Sequence, residues 1–296
     1  MTLSPTAIRQ GVRKTIMFMI AFGLVAGAWE GYKAIGPERS SKVFGWKIIP
    51  SASDQAMPHI GSMFSRLTKP EVRGTGATIF HAVALATWYS FRVAIFALVL
   101  GVVVGLFIGV VMARFRITER AIMPYLIVSQ TIPLIALAPV LVSWSGRLKP
   151  FGFEFQKWMT AALLGSFLAF FPIAVAAVRG LKSVKPESIE LLDSCAASWW
   201  QGLIKVRFPS SVPMLLPALK LAAANAVIGV LVSEISIGLK FGIGRLILSY
   251  SQDGSSDPAK VYTAIFGAAV LGLAMAGLVV VIERTLTRNR PKETAR

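Results

Sequence analysis

Acidic residues are scarce in this chain. Its 296 residues carry 14 Asp and Glu against 31 Lys and Arg, a formal net charge of +17. Cysteine is nearly missing: Cys195 stands alone, which excludes an intramolecular disulfide and says nothing of redox compartment. The two histidines, His59 and His81, are isolated and lack company at metal-ligand spacing. They are expected to be structural or loop residues, and no metal site is assigned. No Gly-x-x-x-x-Gly-Lys-Ser/Thr phosphate-binding loop occurs, and no catalytic residue is assigned.

Apolar residues fill the space. Hydrophobic residues make up 55% of the chain and charged residues only 15%. Several continuous apolar runs approach the ~20 residues that a helix needs to cross a bilayer core. The fold class is therefore all-α, a polytopic helical membrane protein. Barrel strands would alternate in short segments, and these runs do not. The basic residues are scattered among loop ends, so the excess charge speaks for membrane topology and anionic lipid rather than nucleic acid.

Six spans are expected, over residues 15–35, 89–112, 121–144, 158–178, 212–237 and 261–282. The first run resembles a cleaved signal in its basic start, but no small-x-small site followed by a polar mature domain is obvious, and it is read as a retained span. This divides the chain into an N-terminal segment (1–14), one membrane domain (15–283) and a basic tail (284–296). Within the domain lie an outer loop (36–88), with a short interfacial helix around 60–67, and a polar segment (179–211). A second, glycine-rich loop covers 238–260. Gly101, Gly105 and Gly109 recur every four residues, which either lets another helix approach closely or reflects ordinary membrane-helix glycine content. Pro124, Pro133 and Pro139 fall in the third span, where freed backbone groups require protein or a wet cavity.

Short basic segments orient the chain. Arg9, Arg13 and Lys14, then Arg114, Arg116 and Arg120, then Arg179, Lys182, Lys185, Lys205 and Arg207, and finally the tail, share one side. Both termini and residues 179–211 are thus expected in the cytoplasm.

The most distinctive stretch is 187–213, between the fourth and fifth spans. Ile189, Leu192, Ala196, Trp199, Leu203 and Val206 recur at helical spacing, after Pro186 at a first helical position. Glu187, Glu190 and Asp193 fall on other faces. A helix lying on the anionic cytoplasmic leaflet should be basic there, so these acids favour docking into a groove of a cytoplasmic partner.

These residues carry a resemblance. Glu190, the turn Ala196-Ala197-Ser198, then Val206-Arg207-Phe208-Pro209, resemble the EAA coupling motif of permease subunits of ATP-binding-cassette (ABC) importers, a cytoplasmic coupling hairpin between the fourth and fifth spans, with Pro213 at a second family proline. Leu191 and Leu192 stand where two alanines are common. Ala196 stands at the family glycine, and an alanine resists the left-handed conformation that a glycine turn uses. Ile132-Pro133-Leu134, Ala138-Pro139-Val140-Leu141 with Trp144, Phe170-Phe171-Pro172, Glu234 and Gly242-Ile243-Gly244 resemble the nitrate, sulfonate and taurine branch. The resemblance covers roughly residues 78–284.

The resemblance implies a multi-pass protein of the bacterial inner membrane. It implies a second permease copy, two cytoplasmic ABC ATPase subunits that hold ATP and Mg, a solute-binding protein outside, and no cofactor on this chain. It assigns ATPase coupling to Glu187, Glu190, Asp193, Ala196, Ala197, Ser198, Val206, Phe208 and Pro209.

Candidate pathway residues are Gln130, Thr131, Pro133, Pro139, Asn225 and Glu234, the polar and helix-breaking positions inside spans. Glu234 is expected to pair with Lys240, close a gate or touch solute. Arg92 and Lys220 either snorkel or serve the pathway. The basic outer rim favours an anionic or neutral solute. The branch points to sulfonates, taurine, nitrate or bicarbonate, with pyrimidine precursors of thiamine and riboflavin as the alternative. A secondary transporter would show repeated halves and broken helices with a buried ion site; no convincing repeat occurs and intramembrane acids are too few, and a membrane scaffold would need only a docking hairpin.

Overall fold

A computed structural model describes residues 5–38, 41–43, 46–49, 51–71, 77–147, 155–253 and 257–288. The elements are α1 (Pro5–Ile35), β1 (Ser41–Val43), β2 (Trp46–Ile49), α2 (Ile60–Leu67), α3 (Ile79–Arg114), α4 (Arg116–Ser129), α5 (Leu134–Arg147), α6 (Lys157–Lys182), α7 (Pro186–Ser194), α8 (Trp199–Gly202), a π-helical turn (Leu203–Arg207), α9 (Phe208–Ile237), α10 (Ile243–Gln252) and α11 (Pro258–Thr287). Among the described residues, α3, α6, the continuous helix Trp199–Ile237 and α11 are long and apolar enough to cross a membrane. The expected first span lies within α1. Parts of the N-terminal segment, the loop before α6 and the basic tail lie outside the described residues.

Three expectations need correction. The third span is not one helix: α4 and α5 meet at a 99° bend. Pro133 stands at the break, where its ring disfavours the helical conformation in the residue before it. The bend is locally satisfied: Ser129 Oγ donates to Leu126 O at 2.7 Å and Thr131 Oγ1 to Val128 O at 2.8 Å, covering carbonyls that α4 leaves open. The glycine-rich second loop contains a helix, α10, and the outer loop ends early because α3 begins at Ile79. The outer loop also holds the expected short helix, as α2, and an antiparallel β1–β2 hairpin that was not anticipated.

The chain divides into two compact units, residues 1–82 with 249–264, and 83–248 with 265–296. In the first, the end of α1 is tied to the loop that follows it. Lys33 Nζ lies 2.5 Å from Asp54 Oδ1 and holds the Asp54 carboxyl below the usual carboxylate range. Glu30 accepts from Ile60 N at 2.7 Å and pairs with His59 at 2.8 Å. Arg66 pairs with Asp257, and the Tyr250 hydroxyl donates to Glu71 at 2.9 Å.

In the second unit α6 is the central helix. Gly101, Gly105 and Gly109 of α3 all lie against it: a Cβ at Gly105 would meet Phe170 O at 2.6 Å, and one at Gly101 would meet Ala169 Cβ at 2.7 Å. The four-residue glycine spacing is thus a close helix contact. Gly165 and Gly229 bring α6 and α9 together in the same way. Met112, Leu126, Ala174 and Val178 form a core joining α3, α4 and α6. Between α9 and α11, Lys220 Nζ lies 2.8 Å from Glu283 Oε2, so this lysine has an acid partner and need not reach for the interface.

Candidate functional site

The segment expected as a cytoplasmic hairpin turning at Ala196–Ser198 folds as two helical arms, α7 and the helix that starts at Trp199. Pro186 starts α7, and the helix closes at Cys195. Ala196 N donates to Asp193 O at 3.0 Å and Ala197 N to Leu192 O at 2.9 Å, while Ala196 takes φ 49°. These two bonds with a left-handed residue between them make a Schellman closure, which ordinarily places glycine at the left-handed position. Alanine occupies it here, at a strain of about 1–2 kcal/mol. The expected resistance of Ala196 to that conformation does not prevent it.

Ser198 begins the second arm. Gln201 N donates to Ser198 Oγ at 3.3 Å and Ser198 N to Gln201 Oε1 at 2.8 Å, a reciprocal capping box. From Trp199 the helix runs unbroken to Ile237, 39 residues. At about 1.5 Å per residue this is a rod of roughly 58 Å that joins the hairpin tip to the fifth span. Its one irregularity is the π-helical turn just before Phe208-Pro209. The wider turn accommodates a proline ring that crowds the carbonyl four residues earlier.

The hairpin is fastened on its inner side. The Arg114 guanidinium lies 5.1 Å from the Trp199 ring centroid, and Arg207 Nη1 donates to Leu181 O at 3.3 Å, closing the end of α6, where Lys182 in turn pairs with Glu119 of α4. Leu203 and Gly202 are buried. The other side is open. Glu187, Glu190 and Asp193 are exposed, and so are Leu191, Trp200, Ile204 and Phe208. Ala196, Ser198 and Pro209 are exposed, and Ala197 and Val206 half-buried. Acids therefore stand beside large apolar side chains along the hairpin, the pattern of a surface that binds protein. Of these apolar residues only Phe208 was among the expected coupling residues; Leu191, Trp200 and Ile204 were not. Their signal was the pair of leucines at the motif's usual alanines and the double tryptophan.

The pathway candidates separate into two groups. Gln130 and Asn225 both bond to α6: Gln130 Nε2 donates to Phe167 O at 3.4 Å and Asn225 Nδ2 to Leu168 O at 3.1 Å. Pro172 lacks the N–H that would engage Leu168 O four residues earlier, so Asn225 supplies the missing donor. Thr131 and Pro133 are exposed at the α4–α5 bend, and Pro139 is exposed on α5.

Glu234 stands apart. It is fully buried near the end of α9. Ser90 Oγ donates to its Oε1 at 2.6 Å and Gly244 N to its Oε2 at 2.8 Å, while Ser90 Oγ accepts from Ile243 N at 2.8 Å. The carboxylate thus binds the first turn of α10, where negative charge is favoured, and ties it to α3. Gly242, at φ 122°, and Gly244 are required there, because a Cβ on either would press into the Glu234 side chain. The expected pairing with Lys240 is not made; that residue is exposed. Among the described residues no three His, Cys, Asp or Glu gather as metal ligands.

Comparison with known proteins agrees with this geometry. The family of binding-protein-dependent transport system inner membrane components matches residues 101–288, and the chain belongs to it. It is a multi-pass membrane permease of the ABC importer class. The chain is 32% identical to the formylaminopyrimidine transport permease protein ThiX of Halalkalibacterium halodurans, over 66% of this chain and 74% of ThiX. It is 23% identical to the nitrate import permease protein NrtB of Leptolyngbya laminosa, over 90% of this chain and 86% of NrtB. In fold it is similar to a chain of the inward-facing MetNI methionine ABC transporter, with a TM-score of 0.58 and 19% identity, over 70% of this chain and 97% of that one. The resemblance to the nitrate, sulfonate and taurine branch therefore holds at the level of the family.

Proposed function

We propose that the chain forms the solute pathway of an ATP-driven importer, as one of two permease copies, and couples to cytoplasmic ABC ATPases through the hairpin at 187–213. A solute-binding protein delivers solute to the opposite face, ATP and Mg stay on the ATPases, and both termini face the cytoplasm. The observation that carries this reading is the hairpin itself. Its inner side is fixed to α3 and α6 through Arg114 and Arg207, its outer side shows acids and large apolar residues, and its second arm continues into the span. A push on such a tip moves the fifth span as one body. Helix-in-groove docking suits its size and chemistry.

Glu190→Lys reverses a charge on the exposed side without touching the bonds that fasten the inner side. It should abolish co-purification with the ATPase or uncouple ATP hydrolysis from uptake. Unchanged association and unchanged uptake would sink the coupling assignment.

The solute is a small organic or inorganic anion, such as a sulfonate, taurine or nitrate, a reading supported by the basic excess of the chain and by similarity to NrtB. Similarity to ThiX supports a second reading, a pyrimidine precursor of thiamine or riboflavin. A ligand screen on the partner solute-binding protein separates the two.

A further inference from the structure

The open pocket beside α3 is lined by Tyr89, Arg92, Val93, Phe96 and Trp158. Arg92 is exposed, and among the described residues no acid or carbonyl pairs with it. Phe96 and Trp158 meet edge to face at 5.4 Å, and Trp158 Nε1 donates to Gln156 Oε1 at 2.6 Å just before α6. Trp88 and Phe91 stack at 5.7 Å, so aromatic rings crowd this level of the spans as they do at a membrane–water interface.

One helical stripe explains what such a pocket receives. Trp88, Arg92, Phe96, Val99, Val103 and Phe107 repeat at three- and four-residue steps along α3, and all are exposed. Arg92 is the only charged member. The opposite face of α3, with Gly101, Gly105 and Gly109, is spent on α6. From Phe96 to Phe107 the apolar part of the stripe rises roughly 17 Å, close to the ~15 Å hydrocarbon depth of one leaflet. A guanidinium at the head of an apolar strip of leaflet length, ringed by interface aromatics, has the charge and the dimensions of a lipid site.

We propose that Arg92 holds the phosphate of an anionic phospholipid in this pocket, with the acyl chains laid along Phe96, Val99, Val103 and Phe107. The guanidinium fork suits a phosphate, and Trp158 and Phe96 cover the glycerol region. This goes beyond the coupling reading and depends only on α3 crossing the membrane.

The test is native mass spectrometry of the purified full chain offered equal phosphatidylglycerol and phosphatidylcholine. One cation near an anionic headgroup contributes ~1 kcal/mol, so retained phosphatidylglycerol should exceed phosphatidylcholine about fivefold. Arg92→Gln should remove the preference, and Arg92→Lys and the distant Arg116→Gln should keep it. A preference unchanged in Arg92→Gln overturns the proposal. So does loss of the lipid adduct when a soluble alkylsulfonate is added at constant ionic strength, which would make the pocket a solute site. If Arg92→Gln does not fold, photoactivatable phosphatidylglycerol on the unmodified chain should cross-link within residues 88–107 or at Trp158. Cross-links confined elsewhere overturn the proposal equally.

Discussion

Removal of the Glu234 carboxylate is the sharpest probe of how α3, α9 and the start of α10 are held together. In Glu234→Ala two buried donors, Ser90 O–H and Gly244 N–H, lose their acceptors. Each such loss costs about 1–3 kcal/mol, so the variant should be destabilised by about 2–6 kcal/mol. Ser90→Ala leaves Ile243 N–H without its acceptor and one carboxylate oxygen without its donor. Because both variants break the same Ser90–Glu234 bond, the double variant should cost less than the sum by about 0.5–3 kcal/mol. Unfolding of the purified chain in mixed micelles, titrated with a denaturing detergent, gives all four corners of the cycle. Additivity within error would refute the shared bond. A loss in Lys240→Ala as large as in Glu234→Ala would restore the ion pair that the structure does not show.

Ala196→Gly should stabilise the hairpin by about 1 kcal/mol, since the left-handed position at φ 49° is exposed and loses no packing; a lower unfolding midpoint for the glycine variant would count against the closure described. Gly105→Leu should prevent α3 from seating on α6, because even a Cβ there meets Phe170 O at 2.6 Å. Its signature is loss of the monodisperse detergent-solubilised protein, and normal yield and stability would argue against the contact.

The sequence was most informative where the signal is local. The apolar runs placed the spans, the Gly101–Gly109 spacing raised a close helix contact as one of two readings, and the short helix at Ile60–Leu67 was read directly. The motif residues from Glu190 to Pro209 located the hairpin and its turn at Ala196–Ser198. What they did not reveal is how the turn closes, since the backbone bonds to Leu192 and Asp193 put Ala196 in a left-handed conformation that an alanine does not advertise. Pro133 was read as a proline inside a span and turned out to divide it, because periodicity persists on both sides of a bend. Glu234 was legible as an unusual buried acid, whereas its partner was not. Ser90 lies 144 residues away, and no local pattern joins a serine on one helix to a glycine loop on another. Asn225 likewise makes sense only once Pro172 is seen beside it.

The central claim, that the hairpin lies in the cytoplasm and meets an ATPase there, is tested most directly at Cys195. It is the sole cysteine of the chain and is exposed beside the Ala196 turn. A membrane-impermeant maleimide should label it in inside-out vesicles and not in right-side-out ones, and bound ATPase subunit should suppress that labelling. Labelling from the outer face, or a rate in inside-out vesicles that the ATPase leaves unchanged, would contradict the account.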